Sequence, residues 1–255
     1  MYLDTHAHLT FPEFSIDLPE VIKRAKEAGL SAIINIALDD EAIAQSIKIS
    51  QEYPGYVYMA AGTHPHEASQ WKEEHYQKFK ELAVKNKFVA IGETGLDYHY
   101  KLSPIESQQD VFRHFLRMAQ ELVIPAVIHS RDAAQDTIKV LKEENNGGLK
   151  GVLHCFAGDM ELGKVALDMG LYISFTGNIT FPKAEIIRQA AKQIPMDRIL
   201  IETDCPFLSP PPYRGKRNEP SYVVEVAKKI AEIKGLSVEE VAEITTKNAK
   251  TLFNI

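Results

Sequence analysis

MYLDTHAHL, residues 1–9, is a short apolar stretch carrying two histidines, His6 and His8, with one alanine between them. A β-strand alternates its side chains, so residues two apart share a face. Read as a strand, the stretch turns Asp4, His6 and His8 the same way, and two imidazoles on one face can hold a metal ion. A strand-end histidine pair can equally be solvated. The stretch therefore gains meaning only from what the rest of the chain brings to it.

Seven further apolar, β-branched runs follow: SAIINIA (31–37), VYMAAGTHP (57–65), VAIGETGLD (89–97), PAVIHS (125–130), KGVLHCF (150–156), LYISFTG (171–177) and ILIETDCP (199–206). The C-terminal ends of the eight, from His8 to Asp204, are spaced 23 to 36 residues apart. A strand, a helix and two loops occupy about 30 residues in a βαβ unit. The intervening segments carry helix signals. Asp17-Leu-Pro-Glu20 and Ser103-Pro-Ile-Glu106 each place a capping residue three before a glutamate. Val111, Phe112, Phe115, Met118, Ala119 and Leu122 form one helical stripe within 105–122. Two more helices are predicted beyond the eighth strand, over 220–234 and 237–252, the last capped by Ser237. The pattern predicts an α/β chain folded as a (β/α)₈ TIM barrel with additional C-terminal helices, one domain over residues 1–255. A doubly wound sheet would carry a Gly-rich phosphate turn after its first strand, and none is present.

The net charge of −6 excludes a general electrostatic pull toward nucleic acid. A polyanion would have to be held by local positive charge or by metal. No apolar run is long enough to span a membrane, and no basic region followed by an apolar one marks a signal peptide. The two cysteines, Cys155 and Cys205, form no CxxC pair. That argues against zinc–thiolate sites and fits a reducing cytoplasm. Strand alternation turns both toward the helices as small buried apolar residues.

In a barrel, reactive groups gather at the C-terminal ends of the strands. Those ends carry His6 and His8 (first), His64 and His66 (third), Glu93 (fourth), His129 (fifth), His154 (sixth) and Asp204 (eighth). One histidine ending a buried strand can simply bond a neighbouring backbone group; so many groups on so many ends call for a common cause. His6, His8, His129, His154, Glu93 and Asp204 exceed what one tetrahedral ion needs, and a carboxylate can bridge two cations. Two ions about 3.5–4 Å apart clamp the attacking and leaving oxygens of a displacement. Imidazole with carboxylate suits zinc, manganese or iron, and magnesium less comfortably. Asp4 and Glu202 each lie two residues before a candidate ligand, where they could orient it or simply be satisfied core groups. Arg214, Lys216 and Arg217 form a basic cluster in SPPPYRGKRNEPS (209–221), suited to phosphates. In TGLDYHY (94–100), Tyr98 and Tyr100 could stack on a base.

LDTHAHL (3–9), AAGTHPH (60–66), AIGETGLDY (90–98), VIHSRDA (127–133), GVLHCFAGD (151–159), SFTGNITF (174–181) and IETDCPFLSPPPYRGKRNEP (201–220) together resemble the TatD family of metal-dependent hydrolases. The resemblance implies a TIM barrel and a binuclear centre of two divalent ions, zinc, manganese or magnesium. One ion is then held by His6, His8 and Asp204, the other by His129 and His154, with Glu93 bridging. His64 resembles a substrate-phosphate contact, and His66 beside it is expected on the substrate side. Family members include metal-dependent deoxyribonucleases, so the expected substrate is nucleic acid, single-stranded DNA first. Asp204 is expected to double as ligand and general base. The rival expectation is an amidohydrolase cleaving a C–N or ester bond in a small molecule. Its binuclear members often bridge with a carboxylated lysine on the fourth strand, where this chain has Glu93.

Overall fold

The computed structural model describes residues 1–255. Eight parallel strands are hydrogen-bonded in chain order: Tyr2–Ala7 (β1), Leu30–Ala37 (β2), Val57–Ala61 (β3), Ala90–Asp97 (β4), Ala126–Arg131 (β5), Gly151–Leu153 (β6), Tyr172–Phe175 (β7) and Ile199–Ile201 (β8). Between them run Leu18–Glu27 (α1), Asp40–Glu52 (α2), Glu74–Lys85 (α3), Ile105–Leu122 (α4), Ala134–Glu144 (α5), Met160–Asp168 (α6) and Glu185–Gln193 (α7). Val223–Lys234 (α8) and Val238–Phe253 (α9) follow. The ring closes from β1 to the segment after β8: Asp204 N–H donates to His6 C=O and His8 N–H to Cys205 C=O, both at 2.9 Å. The fold is a (β/α)₈ TIM barrel. No helix is long and apolar enough to cross a membrane.

The core has the two layers this architecture requires. A large cluster lies between strands and helices and includes Phe112 and Phe115 of α4, both fully buried. Each such side chain contributes about 1.5–3 kcal/mol relative to exposure. A smaller cluster fills the barrel interior with Leu3, Ile34, Ala90, Val127 and Leu200, and is plugged by Leu252 and Phe253 of α9. That helix is anchored by polar contacts. The Ser237–Glu240 capping box starts it, and Asn248 Nδ2 donates to the carbonyls of Met196 and Ile199 at 2.8 and 2.9 Å.

Two expected caps are absent because their side chains are used elsewhere. Asp17 precedes α1 without capping it; its carboxylate accepts from Arg217 and Arg24. Ser103 donates its hydroxyl to His66 C=O at 2.6 Å. The expected strands also overran. β6 and β8 have only three residues each, so His154 and Asp204 stand on the loops beyond them. Asp204 and Cys155 both take left-handed backbone, φ +55° and +47°, where strand alternation no longer applies.

The GETG run has a steric reason. β4 and β5 approach so closely that a Cβ on Gly95 would lie 2.0 Å from His129 O, and one on Gly92 2.4 Å from Val127 O. Both glycines have positive φ, which glycine alone adopts freely. The close approach brings Glu93 against His129.

Candidate metal centre

At the C-terminal mouth of the barrel the structure brings together His6, His8, Glu93, His129, His154 and Asp204. Glu93 is the hub. Its Oε1 lies 2.8 Å from His129 Nδ1 and 2.7 Å from His154 Nε2. Its Oε2 lies 3.3 Å from His6 Nε2 and 3.8 Å from His8 Nε2. The two carboxylate oxygens are thus divided between two histidine pairs. Asp204 Oδ1 completes the first pair, 3.4 Å from His8 Nε2 and 3.7 Å from His6 Nε2. A cavity of about 650 Å³ opens above, walled in part by Phe11, Tyr100, Arg131, Asn178 and Phe207.

The donor set fits divalent cations. Every converging atom is an imidazole nitrogen or a carboxylate oxygen, and His6, His8 and Glu93 lie close enough together to share an ion. His6 Nε2 and His8 Nε2 face each other at 3.1 Å, as do His129 Nδ1 and His154 Nε2 at 3.2 Å. Facing ring nitrogens need a proton or a cation between them. Electrostatics agree. Burial opposes ionisation of Glu93, yet the charge of His154, with hydrogen bonds from His129 and His154, holds its carboxyl well below the usual range. Burial likewise opposes protonation of His154, but Glu93 and Glu202 keep that imidazole well above its ordinary range. His129 is raised too, by Asp97 and Glu93 working against burial. Positive charge is favoured on that side of Glu93.

His64 differs from the other imidazoles. Its Nδ1 accepts His66 N–H at 3.2 Å. The ring proton therefore sits on Nε2, which points at Glu93 Oε1 from 3.5 Å. Burial holds His64 below its ordinary range, so it is a neutral donor at the edge of the cluster.

The family model described as TatD related DNase matches residues 3–254. The chain belongs to the TatD family of metal-dependent hydrolases. It is 47% identical over its whole length, and the whole of the other, to a Bacillus subtilis protein named uncharacterized metal-dependent hydrolase YabD. It is 35% identical to a Rahnella protein named 3'-5' ssDNA/RNA exonuclease TatD, covering 96% of this chain and 95% of that one. Among solved structures, the TatD homologue YjjV of Escherichia coli superposes with a TM-score of 0.92 at 28% identity, over 100% of this chain and 98% of that one.

Around this TatD-family cluster several expected contacts are placed differently. Tyr98 does not face the cavity. Its hydroxyl donates to Asp136 Oδ2 at 2.8 Å and accepts from Gln109 Nε2 at 2.9 Å; the next residue but one, Tyr100, lines the cavity instead, with Arg131 stacked 4.8 Å from its ring centre. Arg217 is tied down: its guanidinium donates to Asp17 Oδ1 and Oδ2 at 2.7 and 2.8 Å and lies over Phe14. Arg214 is exposed, stacked 4.0 Å over Phe181, and Lys216 is exposed. The base of their loop, Phe207 and Leu208, reaches the cavity.

Asp4 touches no imidazole ring. The β1–β2 register slips between Asp4 and Ala7, which interrupts the alternation expected to align Asp4 with His6 and His8. Its carboxylate accepts from the Thr203 N–H at 2.9 Å and hydroxyl at 2.6 Å, tying β1 to the segment after β8. Glu202 does back a ligand candidate. Its Oε1 lies 3.4 Å from His154 Nδ1 and accepts Cys155 N–H at 2.7 Å. Cys205 is buried in the outer core as expected, but Cys155 is not: its left-handed backbone turns it to the cavity wall beside Asn178. Burial, with the charge of Asp204, pushes its thiol up to about 12, so it stays neutral.

One residue of this neighbourhood escaped the sequence reading. Asp97, fully buried, lies at the end of β4 with its Oδ2 3.0 Å from His66 Nε2 and 3.4 Å from His129 Nε2. Burial opposes its ionisation, but His129, the Tyr100 N–H and His66 outweigh that and hold the carboxyl below the ordinary range. The available signal was its spacing, four residues beyond Glu93 on one strand and therefore on the same face.

Proposed function

We propose that this chain hydrolyses phosphodiester bonds of single-stranded nucleic acid, DNA first, at a centre of two divalent ions. The observation carrying the reading is the division of Glu93: one oxygen serves His129 and His154, the other His6 and His8. His6, His8 and Asp204 would hold one ion, His129 and His154 the other, with Glu93 common to both. Ions bound there supply Lewis acidity, making a water more acidic and offsetting charge on phosphoryl oxygens. Asp204 turns Oδ1 to the histidine pair, which leaves Oδ2 to accept the attacking water's proton. Burial resists its ionisation, but His8, His6 and His154 hold its carboxyl below the usual range, so it is a base at neutral pH. His64 donates Nε2–H to a phosphoryl oxygen. The family match and the exonuclease relative support the nucleic-acid substrate over a small ester.

The test is hydrolysis of end-labelled single-stranded DNA and RNA, beside a panel of small esters and amides, by chelator-stripped protein resupplied with zinc, manganese or magnesium. Metal-restored cleavage of oligonucleotide is the expected result. Turnover confined to esters or amides would favour the amidohydrolase reading.

Metal affinity should weaken as pH falls. His129 and His154 have raised pKa values in the ion-free protein, and a protonated imidazole cannot coordinate. Calorimetric titration with manganese at pH 8 and pH 6 should give weaker binding at the lower pH. Equal affinity would place the ions elsewhere.

Arg214 and Lys216 are the cations of the basic loop without an acidic partner, Arg214 donating only to the Ser209 carbonyl, whereas Arg217 is committed to Asp17. Replacing Arg214 and Lys216 with alanine should raise KM for a single-stranded oligonucleotide. The salt dependence of log K should flatten by about 1.4, since each single-strand phosphate contact contributes about 0.7. Bis-p-nitrophenyl phosphate, too short to reach the loop, should suffer less. An equal loss on both substrates would make the loop a structural element only.

A further inference from the structure

We infer that Asp97 is a positioning residue: it sets the ring orientation of His129 toward the ion position shared with His154, and it holds His66 by the same oxygen. The inference rests on the two-ion reading above.

A neutral imidazole offers one lone pair, and which nitrogen carries it depends on what the other nitrogen meets. His129 turns Nδ1 to Glu93 and Nε2 to Asp97 Oδ2. A carboxylate behind Nε2 keeps the ring proton there and leaves the Nδ1 lone pair facing the cluster. Asp97 can impose this because it cannot move. Its Oδ1 accepts the N–H groups of His99 and Tyr100, each at 2.9 Å, and its own N–H donates to Gln108 Oε1 at 2.8 Å. The same Oδ2 lies 3.0 Å from His66 Nε2, whose backbone carbonyl is held by Ser103. One buried oxygen thus serves an imidazole on β5 and another just past β3.

The arrangement makes the two ion positions unlike. His129 and His154 each have a carboxylate 3.4 Å behind the nitrogen turned away from Glu93, Asp97 and Glu202 respectively. The corresponding nitrogens of His6 and His8, both Nδ1, have no carboxylate paired behind them, since both rings meet carboxylates through Nε2; all four turned-away nitrogens are buried and none reaches hydrogen-bond geometry in the ion-free protein. Loss of Asp97 should therefore be felt by one ion and not the other.

The experiment compares the parent chain with Asp97→Asn and Asp97→Glu by calorimetric titration of manganese into chelator-stripped protein. Histidine tautomers of the zinc-loaded parent are read by long-range ¹H–¹⁵N correlation. The parent should bind two ions. Asp97→Asn should weaken one by about 10–100-fold, the range for loss of an outer-shell partner, leave the other unchanged and raise KM for an oligonucleotide through His66. Asp97→Glu should recover part of the lost affinity. Equal weakening of both ions, or of neither, would overturn the inference. So would finding His129 protonated at Nδ1 in the parent, a measurement that stands even if the variants fail to fold. A parent that binds one ion would sink the two-ion reading, and the tautomer would still decide the role of Asp97.

Discussion

Asp204→Asn is expected to fold as the parent does and to lose about 10²–10⁴-fold in kcat, the span of a general acid–base group. Asn is nearly isosteric and, like Asp, tolerates the left-handed backbone found here, φ +55°. It keeps one coordinating oxygen and loses the charge and the basicity. Asp204 Oδ1 lies 3.4 Å from His8 Nε2, so metal affinity will fall as well, and the assay must run across a metal titration to saturation. A kcat that stays low at saturating metal assigns the proton to Asp204. Recovery of the parent's kcat would make it a ligand only.

Glu93→Gln should be more damaging than removal of any single histidine. An amide has one oxygen and one NH₂ group. If its oxygen faces His129 and His154, its NH₂ faces His6 and His8, and the reverse orientation only exchanges the pairs. Either way one ion loses an anionic oxygen and meets a donor, and the other loses half its share of charge. Affinity for both ions should fall by more than the 10–100-fold typical of outer-shell losses. His154→Ala removes a group from one position alone. Elemental analysis after gel filtration should then find fewer ions per chain in Glu93→Gln than in His154→Ala. Two ions bound with parental affinity in Glu93→Gln would end the bridging assignment. The contrast with Asp97→Asn is informative, because that change should separate the two ions where Glu93→Gln affects both.

The barrel and the identity of the clustered groups were legible without coordinates because both follow from local repeats. Strand alternation and the recurring strand–helix spacing decide where each apolar run ends, and closure of the ring brings those ends together. His6, His8, Glu93, His129, His154 and Asp204 needed nothing more to be named. What each polar group does with its neighbours was not legible in the same way. Asp17 reads as a helix cap and Arg217 as a phosphate contact, yet the two meet each other across about two hundred residues. Tyr98 and Tyr100 are equivalent in the sequence, and only the packing of α4 and α5 against the end of β4 sends the first to Asp136 and the second to the cavity. Cys155 left its expected face because a left-handed residue ends the strand period. Asp97 went unnoticed because its partners come from β5 and from beyond β3, and no single stretch contains them. Periodicity is a property of the backbone and is written locally; hydrogen-bond partnership depends on which side chains long-range packing brings within about 3 Å, and only the folded chain decides that.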